Sequence, residues 1–284
     1  MSSKDKKNKF IFNSFFKLII LIILIILIVY LSFTILFDFI RKHNLEKTTL
    51  PFAKLNEKTI FSIDKILLFS SANASNVNAK SNGSWTLDVN QYSDIAIYIN
   101  SCNSSDTFTD ENTIKKLTID NIKIGQPELG NPSLFYKDLN NFAKYIPLKD
   151  FSLLDSEKFE YTIIPSTGVI DYSKPQIYQT GNNPITFGYI NSDIKNKTTI
   201  SDTSSPLIYD GSLLKKAGVA LSSISNTISF RINITNNLNQ EYSTTLSLEI
   251  PVYDEGVGDY GNLYNGMILK HLAGEPLYRF YRYK

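Results

Sequence analysis

Two hydrophobic patterns divide the chain. From Leu18 to Phe37 the residues read LIILIILIILIVYLSFTILF, an apolar run of 20 without a charge. As a helix rising about 1.5 Å per residue, such a run matches the roughly 30 Å apolar thickness of a bilayer. Beyond it the pattern changes to apolar and polar residues in strict alternation. In Asn226 to Thr235 (NTISFRINIT), Ile228, Phe230, Ile232 and Ile234 share one face, and Thr227, Ser229, Arg231, Asn233 and Thr235 the other. After NNLNQ the alternation resumes with Tyr242, Thr244, Leu246, Leu248, Ile250 and Val252 against Ser243, Thr245, Ser247, Glu249 and Pro251. Two period-two runs joined by a short polar loop predict an antiparallel hairpin. Its one-sided apolar face requires a second layer above it, because a two-stranded ribbon is marginal in water.

Further strands are expected at Ile60 to Phe69, Trp85 to Val89, Ile95 to Asn100, Ile114 to Ile124, Phe159 to Ile164, Gln176 to Thr180 and Pro184 to Ile190. In the Ile114 segment the alternation slips phase at Asp120 and Asn121, which predicts a bulge or tight turn. Helical spacing after the apolar run is confined to Leu139 to Tyr145 and Leu213 to Leu221, enough for a turn or two. Arg41 to Lys58 reads as a stalk, and Ser70 to Ser84, with its Asn82-Gly83 pair, as a loop. The expected fold class is mainly β: an N-terminal single transmembrane helix followed by an antiparallel β-sandwich ectodomain. The expected divisions are a basic cytoplasmic N-terminus (residues 1–17), the membrane helix (18–37), a stalk (38–58) and the sandwich (59–284), the last as one domain or two packed sub-domains.

Charge gives the segment its orientation. Lys4, Lys6, Lys7, Lys9 and Lys17 precede the run, with Asp5 the sole acid there. Lysines on that side place the N-terminus in the cytoplasm and the bulk of the chain outside, and the insertion energy of the run exceeds about 5 kcal/mol in favour. A cleaved signal peptide has a shorter apolar stretch, about 7 to 15 residues, and a small-residue cleavage site. Here FDFIRKHNLEK follows instead, so an uncleaved anchor is the expectation. An apolar N-terminal helix on a β-rich domain is also the plan of type IV pilin-like proteins. Their Gly before the mature first residue is replaced here by Lys9, however, and their Glu five residues in by Ser14. The layout is similar to that of membrane-anchored proteins of low-GC bacteria, a likeness that carries no functional residue with it. The bilayer, through Leu18 to Phe37, is the first expected partner.

Taking the five N-terminal lysines and Asp5 from the chain's 29 basic and 27 acidic residues leaves 24 against 26 from Asp38 onward. A nearly neutral folded part argues against nucleic acid as a partner. One cysteine, Cys102, excludes an intramolecular disulfide and a Cys-based zinc cluster. The abundance of Ile, Lys, Asn, Phe and Tyr points to a low-GC genome. It also empties the Asn-x-Ser/Thr sites at Asn73, Asn82, Asn103, Asn196 and Asn233 of information.

Candidate chemistry is thin. His43 and His271 are the two histidines, and no G-x-S-x-G or base-plus-nucleophile pairing surrounds either. Asp254, Glu255 and Asp259 in YDEGVGDYG offer oxygen ligands without the spacing of an EF-hand loop, so a solvated turn is the simpler reading. Asp106, Asp110 and Glu111 are read the same way. Glycoside hydrolysis needs two carboxylates roughly 5 to 9 Å apart across a cleft, which sequence does not place. Tyr at 17 positions and the lone Trp85 fill a sandwich core more often than they stack on sugars. The C-terminal PLYRFYRYK interleaves Tyr278, Phe280, Tyr281 and Tyr283 with Arg279, Arg282 and Lys284. A last edge strand with a basic outer face accounts for it better than contact with anionic lipid or wall polymer. No catalytic, cofactor-binding or metal residue is assigned, and no cofactor is expected. The leading expectation is a non-enzymatic interaction module at the cell surface that docks an envelope protein or polysaccharide. The alternatives are an envelope enzyme acting on cell-wall or surface glycan, and a subunit of a membrane complex.

Overall fold

The computed structural model describes residues 60–101, 107–151, 158–201, 209, 211–251, 267–270 and 278–283. All lie in one compact unit, Phe52–Lys284. The expected basic N-terminus, membrane helix and stalk fall outside the described residues, among which no helix is long and apolar enough to cross a membrane.

Two sheets account for the architecture, which is mainly β and sandwich-like. One contains β1 (Phe61–Ala79), β2 (Trp85–Ser101), β4 (Asn131–Lys137), β5 (Tyr145–Pro147), β8 (Ile185–Ile200), β11 (Met267–Lys270) and β12 (Tyr278–Arg279). Its order is β11-β1-β2-β8-β4-β5, with β12 also on β1. The other holds β3 (Ile114–Ile124), β6 (Phe159–Ile164), β7 (Gln176–Tyr178), β9 (Asn226–Asn236), β10 (Glu241–Ile250) and β13 (Tyr281–Arg282), ordered β13-β10-β9-β3-β6-β7. Every pairing is antiparallel except β6 with β7, which is parallel and departs from the all-antiparallel expectation. The inward residues of both sheets form a shared core in which Ile97, Phe187 and Tyr189 of the first sheet meet Leu117, Phe230 and Ile232 of the second. Each aliphatic or phenyl side chain buried this way contributes about 1.5 to 3 kcal/mol. The predicted hairpin is β9 and β10, in register from Asn226↔Ile250 to Thr235↔Glu241.

β1, β2 and β8 are far longer than expected, at 19, 17 and 16 residues. Ser70 to Ser84 is not a loop: β1 runs on to Ala79, and only Lys80–Ser84 turns, with Gly83 at φ 81°. The two strands expected at Trp85 to Val89 and Ile95 to Asn100 are one strand, because alternation continues through buried Gln91 and Ser93. Polar residues on the inward face hid that continuity. The far halves of the three strands reach a second, smaller core, where Ala72, Leu87, Val89, Ile194 and Ile200 pack under Leu213 and Leu214 of the short helix α1 (Gly211–Lys216) and under Val219 and Ile224.

The phase slip in β3 is a register shift between Asp120 and Lys123, with Asn121 at φ 53°. The expected helical turns at Leu139 to Tyr145 do not form. Asp138 Oδ1 instead accepts the amide hydrogens of Asn140 and Asn141, which closes a turn and leads into β5. The C-terminal tail is strand, as expected, but it changes sheets: β12 pairs with β1, β13 pairs with β10, and the intervening Phe280 is buried in the main core.

Candidate functional site

Outward residues of the first sheet alternate with its core residues, so β2 presents Tyr92, Asp94, Ala96 and Tyr98 on its outer side. Across the ladders lie Ser71, Phe69, Leu67 and Lys65 of β1, and Ile190, Gly188 and Thr186 of β8. At the centre is a polar cluster. Lys137, the last residue of β4, places Nζ 3.3 Å from Asp94 Oδ2. Nζ also donates to the Phe142 carbonyl and lies 3.9 Å from the centre of the Tyr145 ring. The Tyr145 hydroxyl donates to Asp94 Oδ1 at 3.0 Å. One tyrosine thus touches both members of the ion pair.

Gly188 makes this possible. Opposite Asp94 on one side and Phe135 on the other, it has no side chain, and a Cβ there would fall 2.2 Å from the Tyr145 ring. Tyr92 and Phe135 pack on the same ring at 5.5 and 6.3 Å between centroids. Burial, followed by the charge of Asp94, raises the Tyr145 pKa, so its hydroxyl stays a donor through the physiological range. The Lys137 side chain is 3 % exposed and that of Asp94 38 %. Around this cluster the face carries Phe69, 53 % exposed, and Tyr98, over which Lys65 Nζ sits at 4.2 Å.

A second polar cluster lies on the outer face of the other sheet. Arg231 Nε and Nη2 donate to Asp120 Oδ1 and Oδ2 at 2.7 and 3.0 Å, and Asn233 Nδ2 to Oδ2 at 3.1 Å. The Asp120 hydrogen bonds raise the Arg231 pKa. The three side chains satisfy one another across the β3 bulge, a structural clasp that holds register where pairing is interrupted.

Most residues singled out in the sequence are structural or fall elsewhere. His43, Cys102, Asn103, Asp106, Asp254, Glu255, Asp259, His271 and Lys284 lie outside the described residues. Asp110 and Glu111 occupy a turn whose carbonyls accept from the backbone of Asn237 and the side chain of Asn236. Among the described residues no three His, Cys, Asp or Glu side chains gather as a metal site. Trp85 packs against the smaller core, and Tyr136, Tyr161, Tyr189 and Tyr242 belong to the main one. No sequence signal marks the Lys137 cluster, since its members come from three strands, two of which (β4 and β5) carry no strand pattern of their own. Compared with protein-family models, curated proteins and solved structures, the chain shows no match.

Proposed function

We propose that this protein is a non-enzymatic interaction module, held at a membrane by Leu18 to Phe37 with its N-terminus cytoplasmic, which docks an envelope protein or polysaccharide on an extracytoplasmic β-sandwich. The observation that carries the docking surface is the outer face of the first sheet. Leu67 and Phe69 of β1, Tyr92 and Tyr98 of β2, Phe135 of β4 and Ile190 of β8 are set on one side of adjoining strands and none is fully buried. Solvent-facing rings on a rigid sheet bring contact area at little entropic cost, and Tyr145 is already fixed by four ring and polar contacts. The charge-free run preceded by lysines supports the anchor and its direction.

The test uses the full-length chain in detergent, exposed separately to envelope protein and envelope polysaccharide fractions, beside the Phe69→Ser, Tyr98→Ser double variant. Retention by the wild type and a loss of about tenfold or more in the variant is expected, the scale of truncating central aromatic contacts. Equal retention by both proteins, or none by the wild type from either fraction, removes the proposal. Protease added to whole cells tests the topology, because a C-terminal portion left uncut places it inside.

A further inference from the structure

Lys137 is a cation enclosed by its own fold. It reaches across the sheet from β4 toward β2, passing over β8, a span of about 10 Å between strand axes. Gly188 leaves the space in between open, and the Tyr145 ring closes over it. A charged pair held this way loses hydration that its mutual attraction repays only with excellent geometry. Condensing the pair into a neutral amide removes both charges while keeping the strands joined.

We propose that Lys137 and Asp94 form an intramolecular isopeptide bond, a covalent strap between β2 and β4. The atoms are placed for it. Nζ is 3.3 Å from Oδ2, in place for the proton transfer that opens the step and one C–O bond away from Cγ, the carbon it must attack. Tyr145 donates to the other oxygen, Oδ1, at 3.0 Å. Proton transfer from the ammonium to Oδ2 gives an amine and a carboxylic acid. The nitrogen lone pair attacks Cγ, and negative charge gathers on Oδ1, where the Tyr145 hydroxyl stabilises it. The Cγ–Oδ2 bond then breaks, the departing hydroxyl takes a second proton from nitrogen, and water leaves past the exposed side of Asp94. Nothing is oxidised or reduced, and no co-reactant is consumed. Tyr145 is the positioning and stabilising group for the step, and Gly188 is what admits it.

This strap stands whether or not the face docks a partner. It is tested by denaturing mass spectrometry of the full-length chain after prolonged storage in the folded state. The expected mass is one water below that of the sequence, with the peptide containing Lys137 joined to the one containing Asp94. Lys137→Arg should restore the mass calculated from its sequence. Asp94→Asn should lose ammonia in place of water, and Tyr145→Phe should slow the conversion. A wild-type mass equal to that of the sequence overturns the proposal, and so does a missing water that persists in Lys137→Arg.

Discussion

Replacing Phe280 with Ala tests how the two sheets are held together at one edge. Its side chain is 3 % exposed and meets Phe61 edge to face at 6.4 Å, while Phe61 in turn meets Tyr242 of the other sheet at 5.3 Å. The Phe280 amide donates to the Phe61 carbonyl, and three residues on the Tyr283 amide donates to Glu241. The ring is therefore the plug between two short pairings that tie the tail to β1 of one sheet and to β10 of the other. Removing a phenyl from a core costs about 3 to 5 kcal/mol. Because the neighbouring tail can collapse partway into the space, the lower figure applies, and about 3 kcal/mol of unfolding free energy should be lost. Denaturant unfolding of the full-length chain in detergent measures it, with Tyr281→Ala, 39 % exposed, as a control expected within about 0.5 kcal/mol of wild type. Hydrogen exchange at the Phe280 and Tyr283 amides should accelerate in the same variant. A loss under about 1 kcal/mol with unchanged protection refutes the plug.

Gly188→Ala should cost about 1 to 3 kcal/mol by pushing the Tyr145 ring off the sheet, visible as a changed near-ultraviolet signal from the tyrosines; an unchanged signal and stability would show that the ring does not need that space. Gln91 is fully buried, and neither its amide nitrogen nor its oxygen has a hydrogen-bond partner among the described residues. Gln91→Met should therefore stabilise by about 1 kcal/mol in denaturant titration, and a destabilisation would mean the amide is satisfied in solution. Tyr136 is buried with its hydroxyl on the Tyr172 and Lys174 carbonyls, and burial lifts its pKa to about 12 from 10.0. The unfolded chain releases this proton first, so a stabilisation of about 2 kcal/mol present below pH 10 is lost as pH rises toward 12; Tyr136→Phe should lower the alkaline slope by this share, the rest belonging to other buried tyrosines such as Tyr145, and an unaltered slope shows that Tyr136 takes no part in it. Asp120→Ala takes a bidentate partner from Arg231, whose side chain is 35 % exposed and can rehydrate, and should cost about 1 kcal/mol, whereas an effect near zero would leave the β3 register to the backbone alone.

What the sequence disclosed depended on how closely each segment kept to one-sided burial. β9 and β10 alternate without fault, and both were legible nearly to the residue. β3 was legible with its bulge, since Asp120 and Asn121 break phase in the sequence and in the ladder alike. β1, β2 and β8 were cut short because their inward faces turn polar: Ser70 meets Ser93 at 2.6 Å, and Gln91 stands opposite Asn191. Such pairs look like loop composition until the partner strand is known. β4 opens with Asn131 and Pro132 and depends on β8 for its pairing, so nothing local marks it. The Lys137 cluster was unreadable for the same reason: Asp94, Lys137 and Tyr145 come from three strands that only the sheet brings together.

Those polar inward pairs also explain the unequal lengths of the sheets. The second sheet covers the halves of β1, β2 and β8 that carry Ile63, Ile97 and Phe187, and helix α1 with its flanking turn covers the ends that carry Ala72, Leu87 and Ile194. Between the two apolar clusters lies the stretch of Ser70, Ser93, Gln91 and Asn191, where an apolar residue would have merged the cores. Asn191 Nδ2 donates to the Leu129 carbonyl at 2.9 Å, and Gly130, at φ 99°, comes so close that a Cβ there would fall 2.1 Å from Asn191 Oδ1. The connection entering β4 is thus fixed by a polar contact at the seam, seven residues before Lys137. Polar residues inside the sandwich sacrifice apolar burial there, and the return is a defined position for the strand that delivers Lys137 to Asp94.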